Sequence, residues 1–157
     1  MIARRLGVPA LTAIAAALAG CGSGGAQHTP DVSSIPLVAG ARIVAQQQKC
    51  DRGANPFCGW ELVVEAPGYK SSDDLLLSEN RHLKSLGWTG ANADIAGERA
   101  ADSPGHKLHL TYGTAFTDLK GYGRGQIRRT EKIAKTLSRA MFDRTPSLSM
   151  LLEEGSG

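Results

Sequence analysis

Few side chains in this sequence stand at spacings that chemistry uses. Glu61 and Glu65 lie four apart in an alternating stretch, and paired carboxylates are the equipment of acid–base hydrolysis. On a strand they would share a face about 13 Å apart, beyond even the roughly 6.5–9.5 Å between the carboxyls of inverting glycosidases. Both are expected to be solvated. His106 and His109 differ by an odd number, so within one strand they point to opposite faces and cannot share a metal. Glu79 and His82 are three apart and can be neighbours on a helix, yet one such pair falls short of a di-metal set. No Gly-x-Ser-x-Gly, Ser-x-x-Lys or His-Glu-x-x-His run occurs, so the local signatures of common hydrolases are missing. A catalytic set would have to converge in space, from Asp51, Glu61, His82 or His109 with a Ser or Tyr. No catalytic residue, metal ligand or cofactor is assigned.

Two further features concern anions. Gly121-Tyr122-Gly123-Arg124-Gly125 precedes an expected helix, and such a loop can cradle an anion at the helix N-terminus. A dinucleotide fingerprint would need a third glycine where Arg128 stands, within a parallel βαβ unit, so the glycines read first as a flexible connection. Arg124, Arg128 and Arg129 are the cations that would collect a phosphate or carboxylate there. Within the helix, Arg128, Lys132, Lys135 and Arg139 follow helical spacing and form a basic stripe. The plain reading is a solvated face. The sharper one is contact with an anionic leaflet or an acidic envelope polymer.

The elements that position these residues are legible in outline. Residues 41–50 and 58–66 read as strands joined by the turn-rich Asp51-Arg52-Gly53-Ala54-Asn55-Pro56-Phe57, which suggests a hairpin. If Cys50 opposes Cys58, then Gln48 faces Trp60, Gln46 faces Leu62 and Val44 faces Val64. Trp60, Leu62 and Val64 then share the core face, where the two glutamines fit only beyond its edge or if a bulge shifts the register. Glu61, Val63 and Glu65 share the other face with Ile43 and Ala45; an exposed apolar patch around Val63 would mark a subunit interface. Ser71-Ser72-Asp73-Asp74 starts a helix with a Ser cap and acids at the positive end of its dipole. Leu75, Leu76, Leu83 and Leu86 are its buried stripe and Gly87 its stop. A weaker strand is expected in 89–100, a turn at Asp102-Ser103-Pro104-Gly105, a strand over 106–116 and an amphipathic helix over 126–142. The order β-β-α-β-β-α predicts an α+β fold, an antiparallel sheet with both helices packed on one face.

The chain opens on Met1-Ile2-Ala3-Arg4-Arg5 and runs almost wholly apolar from Leu6 to Ala19. That is short of the roughly 20 apolar residues a spanning helix needs, and it has the layout of a secretory signal. Behind it stands Leu18-Ala19-Gly20-Cys21, which resembles the lipobox of bacterial lipoproteins at all four positions. The resemblance implies cleavage before Cys21, a diacylglycerol on its thiol and usually an acyl chain on its amine. Two or three chains hold a protein stably to a membrane, so the expected address is the extracytoplasmic face of the cell membrane. From Pro36 to Trp88 the chain also resembles small lipoproteins of high-GC Gram-positive bacteria, in Pro36 and Gly40, the Cys-bearing hairpin and Leu86-Gly87-Trp88.

With Cys21 lipidated, Cys50 and Cys58 remain as an even pair in an oxidising compartment, and a structural disulfide is expected. The expected organisation is a signal peptide over 1–20, a lipidated flexible tether over 21–36, one domain over 37–145 and a tail over 146–157 that docks or frays. Without Arg4 and Arg5, sixteen basic residues stand against fifteen acidic ones, so net charge does not argue for nucleic acid. The expected protein is a non-catalytic binding or adaptor module at the cell envelope, its partners being the membrane through the anchor, an anionic lipid or envelope polymer, or an envelope protein. An envelope hydrolase or transferase and a structural subunit of an envelope assembly are the alternatives.

Overall fold

A computed structural model describes residues 29–51, 57–91, 97–114, 120–121, 125–126, 129–137 and 144–156. Among them the elements run β1 (Arg42–Asp51), β2 (Phe57–Glu65), α1 (Ser72–Ser85), β3 (Thr89–Ala91), β4 (Glu98–Asp102), β5 (Leu108–Thr114), β6 (Lys120–Gly121), β7 (Gly125–Gln126), α2 (Glu131–Thr136) and β8 (Ser147–Glu154). The fold is α+β. Six strands form one sheet in the order β1-β2-β8-β5-β4-β3, antiparallel at every pairing, while β6 and β7 make a separate two-stranded ribbon.

The largest departure from the expected β-β-α-β-β-α order is the tail. Residues 147–154 neither fray nor dock on the surface; they form β8, inserted between β2 and β5. The reason is in its alternation, since each face of a central strand must be buried. Leu148, Met150 and Leu152 enter one core, while Ser147, Ser149, Leu151 and Glu153 turn to the other face, all seven nearly inaccessible. The domain therefore does not end at Thr145.

The second departure concerns the helices. Leu75, Leu76 and Leu83 of α1 pack with Leu62, Val64, Leu110, Tyr112 and the even residues of β8. Ile133 and Leu137, at α2 and its C-cap, pack instead with Ala45 and Val63. Val63 and Val64 are consecutive in β2 and so point oppositely. The helices thus lie on opposite faces of the sheet rather than on one. Val63, the centre of the expected exposed patch, is fully buried beneath α2.

Local signals explain α1 well. Ser71 Oγ accepts the Asp74 N–H at 3.1 Å, with Asp73 and Asp74 in the first turn. At the other end Gly87 takes φ +81°, and Trp88 N donates to Leu83 O at 3.0 Å, the hydrogen bond that closes a Schellman stop. Leu86 belongs to that stop and is exposed, contrary to its expected place in the buried stripe. The helix expected over 126–142 is found only as α2: Gln126 is in β7, Thr130 is the N-cap, and 138–143 lie outside the described residues.

The hairpin keeps the expected register from Cys50↔Cys58 through Gln46↔Leu62, and the disulfide Cys50–Cys58 is formed. Beyond it a bulge intervenes: Ala45 opposes Val63, and Ile43 rather than Val44 opposes Val64. One extra residue reverses the alternation, which leaves Val44 exposed and returns Ile43 to the α1-side core. Gln46 and Gln48 are exposed on this edge strand.

The expected tether over 21–36 is in part structure. From Thr29 the chain runs back along β1, with Trp60 Nε1 donating to Pro30 O at 2.9 Å and Gln48 Nε2 to Thr29 Oγ1 at 2.8 Å. Asp31 caps a 3-10 turn at Val32–Ser34, and two hydrogen bonds from Ser33 hold its carboxyl below the usual range. Ile35 is buried in the core. The apolar residues Val32, Ile35, Leu37 and Val38 are what make this a strap.

Candidate functional site

The expected solvated face of the sheet is closed. On the α2 side Glu61, Glu98, Glu153, His109, Thr111, Ser147 and Ser149 are all buried. A buried carboxylate is costly unless it is paired. Glu61, expected in water, accepts Thr130 N–H at 2.8 Å and lies 3.6 Å from Lys49 Nζ. It thus sits just ahead of α2, where the chain supplies its own anion. Glu65, at the sheet's far end, meets exposed Arg42 at 3.3 Å.

The register sets three ionisable residues in one row across this face. His109 on β5 opposes Glu153 on β8 on one side and Asp102 on β4 on the other. His109 Nδ1 lies 2.7 Å from Asp102 Oδ1. A carboxylate only accepts, so Nδ1 carries the hydrogen. The other ring nitrogen, Nε2, is 3.4 Å from Thr111 Oγ1.

The turn that joins β4 to β5 builds the rim. Ser103 N donates to Leu108 O at 3.0 Å, Leu108 N to Ser103 Oγ at 2.9 Å and His106 N to Ser103 O at 2.8 Å. Gly105 has φ +74°, the left-handed region a glycine adopts without penalty, and His106 follows at φ +52°. His106 is therefore in the turn and not in the strand, which overturns the expectation that it points away from His109. Its Nδ1 lies 3.9 Å from Asp102 Oδ2. Both imidazoles converge on one carboxylate. No group of three His, Cys, Asp or Glu side chains that could hold a metal is found among the described residues.

The end of β8 supplies the opposite wall. Gly155 N donates to Lys107 O at 2.9 Å, and a Cβ on Gly155 would stand 1.9 Å from His106 O, so only glycine permits this approach. Asp102, His106, His109, Glu154, Gly155 and Ser156 thereby enclose a half-open pocket of about 200 Å³. It joins His109 to a serine, as the scattered-residue reading required, while Glu61 and His82 are not in its lining. Thr111, whose hydroxyl lies 3.4 Å from His109 Nε2, is sealed in the sheet at 1% exposure, out of reach of a substrate. The pocket has the makings of a recognition site: a hydrogen-bonded His–Asp floor, a second imidazole, a second carboxylate and a hydroxyl.

On the α1 face one acid is buried alone. Glu79 is fully inaccessible; its Oε2 accepts Val38 N–H at 2.9 Å, and among the described residues Oε1 has no hydrogen-bond partner. Burial raises its pKa to about 7 against the opposing pull of the Val38 bond. Burial first, and then the Glu79 charge, push the neighbouring Tyr112 phenol up, with Arg99 acting the other way. Glu79 therefore serves the strap through Val38.

Arg124, Arg128 and Arg139, expected to contact an anion, and Cys21, expected to carry the lipid, lie outside the described residues. Gly121 and Gly125 pair within the β6–β7 ribbon, which precedes α2, and Tyr122, Gly123 and Arg124 between them lie outside the described residues. Arg129 is half-buried. Lys132 Nζ donates to Gln46 O at 2.9 Å, and exposed Lys135 meets Glu131 at 2.6 Å. No helix among the described residues is long and apolar enough to cross a membrane.

Fold and pocket define a class no finer than an α+β protein built on a six-stranded antiparallel sheet with a helix on each face. Comparison with protein-family models, curated proteins and solved structures gives no match.

Proposed function

We propose that this chain is a membrane-tethered, extracytoplasmic lipoprotein of the kind the lipobox resemblance implies, and that it acts as a non-catalytic binding module. Its ligand site is the pocket over the His109–Asp102 pair. The observation that carries this reading is the pocket itself, where a buried imidazole held at 2.7 Å by Asp102 forms the floor beneath exposed His106, Glu154 and Ser156. Fixed polar groups in a concavity are what binding sites share. Catalysis is disfavoured by the burial of Thr111. An assembly subunit is disfavoured because the apolar residues Ala45 and Val63 are covered by the protein's own helix.

The test is photo-crosslinking in cells that express the full chain. A crosslinker replaces Lys107 at the pocket rim or, as a control, Lys135 on α2. The expected result is an adduct from position 107 that is absent from position 135 and disappears when Ser156→Trp fills the pocket. Equal capture from both positions, or capture indifferent to Ser156→Trp, would overturn the assignment.

A further inference from the structure

The strap fixes where the described chain leaves the fold on its N-terminal side. The N-terminal segment runs antiparallel to β1, from Thr29 beside Gln48 to Ala41 just ahead of Arg42. Its first described residues therefore stand at the end of the sheet that carries the Cys50–Cys58 disulfide. The pairings carry that end across the sheet. Trp60, whose ring holds Pro30, opposes Leu152; Leu152 opposes Leu110; and Leu110 opposes Ala101. One or two residues further along these strands are Asp102, His109 and Glu154, three of the pocket's lining residues. The pocket and the chain's departure point thus share one end of the sheet, three strands apart, which is about 14 Å.

We infer that this end is a membrane-apposed surface, and that its partner is the headgroup layer of the lipid bilayer. The inference rests on the lipid anchor at Cys21 proposed above. Only the chain between Cys21 and Thr29 then lies outside the described fold on the anchor side. The eight Cα–Cα steps from Cys21 to Thr29 span at most about 27 Å, and a coil of that length would span roughly 16 Å. The far end of the sheet, marked by Glu65 and the turn at Gly68, is about 24 Å further along the strands. At its random-coil reach the tether favours the pocket end, because only a nearly fully extended chain would let the far end meet the bilayer instead. It holds the pocket end near the headgroups at high effective concentration, whereas the expected basic stripe would have laid α2 on the membrane. The surface offered is polar, with Pro104, Gly105, His106 and Lys107 all exposed beside Glu154 and Ser156. It suits adsorption at headgroup depth and not insertion.

The test uses the full lipidated protein in vesicles of phosphatidylethanolamine and phosphatidylglycerol that carry a quencher at headgroup depth. A fluorophore is placed at Lys107→Cys or, separately, at Gly68→Cys, both exposed. Quenching is expected to be several-fold stronger at position 107. Inserting a Gly/Ser segment of about 30 residues before Thr29 should bring the two signals together, because coil reach grows with length. Intact-mass analysis and flotation of the same sample read the anchor independently. A lipidated, floating protein that is quenched equally at both positions, or more at position 68, would overturn the orientation and leave the anchor standing. A Cys21 without lipid would overturn both.

Discussion

The His109 Nδ1 and Asp102 Oδ1 atoms lie 2.7 Å apart on neighbouring strands, at the base of a pocket whose rim is a turn that the same Asp102 begins. Asp102 is at once the last residue of β4, the acceptor for a buried imidazole and a carboxylate facing the exposed His106. Geometry and hydrogen bonding at the pocket are therefore coupled through one side chain.

That coupling is testable by the ring's tautomer. With Asp102 present, neutral His109 should carry its hydrogen on Nδ1, which nitrogen-15 NMR of the ring reads directly. Asp102→Ala removes the acceptor and should cost about 1–3 kcal/mol, because a buried donor loses its partner. Asp102→Asn retains an acceptor oxygen and should keep the Nδ1–H form. An unchanged tautomer in Asp102→Ala would show that something other than Asp102 orients the ring.

The two glycines that crowd this site should tolerate no side chain. A Cβ on Gly59 would stand 2.8 Å from Leu152 O and 3.3 Å from Glu153 Cγ, and one on Gly155 would collide with the His106 carbonyl. Gly59→Ala is expected to destabilise by about 1–3 kcal/mol through forced backbone shifts. Gly155→Ala should instead detach the last residues of the chain from the turn, visible as amide shifts at Lys107 and Ser156. Gly68→Ala, with open space around its Cβ, is the control and should change neither stability nor spectra.

Glu79 sets a pH dependence of definite sign. Its folded pKa of about 7 lies above its ordinary value of 4.5, so between those values the folded state holds a proton that the unfolded chain has lost. The stabilisation is complete below about pH 4.5 and is lost as pH rises through 7, a total on the order of 3 kcal/mol. Denaturant unfolding across this range should show stability falling with pH. In Glu79→Gln that slope should flatten, and the variant should gain on the native protein at pH 8 relative to pH 5. A parallel pair of curves would remove Glu79 as the source.

What could be read in the sequence divides along the range of the interactions involved. The hairpin, its disulfide and α1 depend on neighbours within a few residues, and Cys50, Cys58, Ser71 and Gly87 announce them. The place of β8 depends on β2 and β5, distant in the chain, and nothing within residues 147–154 names those partners. The sheet's second face misled for a related reason. Glu61 beside Val63 and Glu65 reads as a solvated alternation, yet residues far along the chain cover it, Thr130 and Ile133 among them. The pocket was missed through a parity rule that holds only inside a strand. The turn at Asp102-Ser103-Pro104-Gly105 was legible and is found, and it was the signal that His106 lies outside β5 and free to converge on Asp102.

The disulfide should matter by closing a short loop. Cys50 and Cys58 are eight residues apart, and the chain-entropy relation gives about 2.5 kcal/mol for a loop of that size. A Cys50→Ser/Cys58→Ser variant should fall in stability by about that amount while keeping the β1–β2 register, because Trp60, Leu62 and Val64 still anchor β2 in the core.

Removing β8 should be of another order. Leu148, Met150 and Leu152 are each fully buried at the centre of the α1-side core, and truncating one such side chain costs about 2–5 kcal/mol. Ending the chain at Thr145 strips all three, together with two ladders of hydrogen bonds, a loss beyond the roughly 5–15 kcal/mol that holds a domain of this size folded. The expected outcome is a chain without cooperative unfolding, measured by circular dichroism during denaturation. Met150→Ala alone should remain folded with a lowered midpoint. A truncated protein that still unfolds cooperatively would mean that β2 and β5 can close the sheet without their central strand.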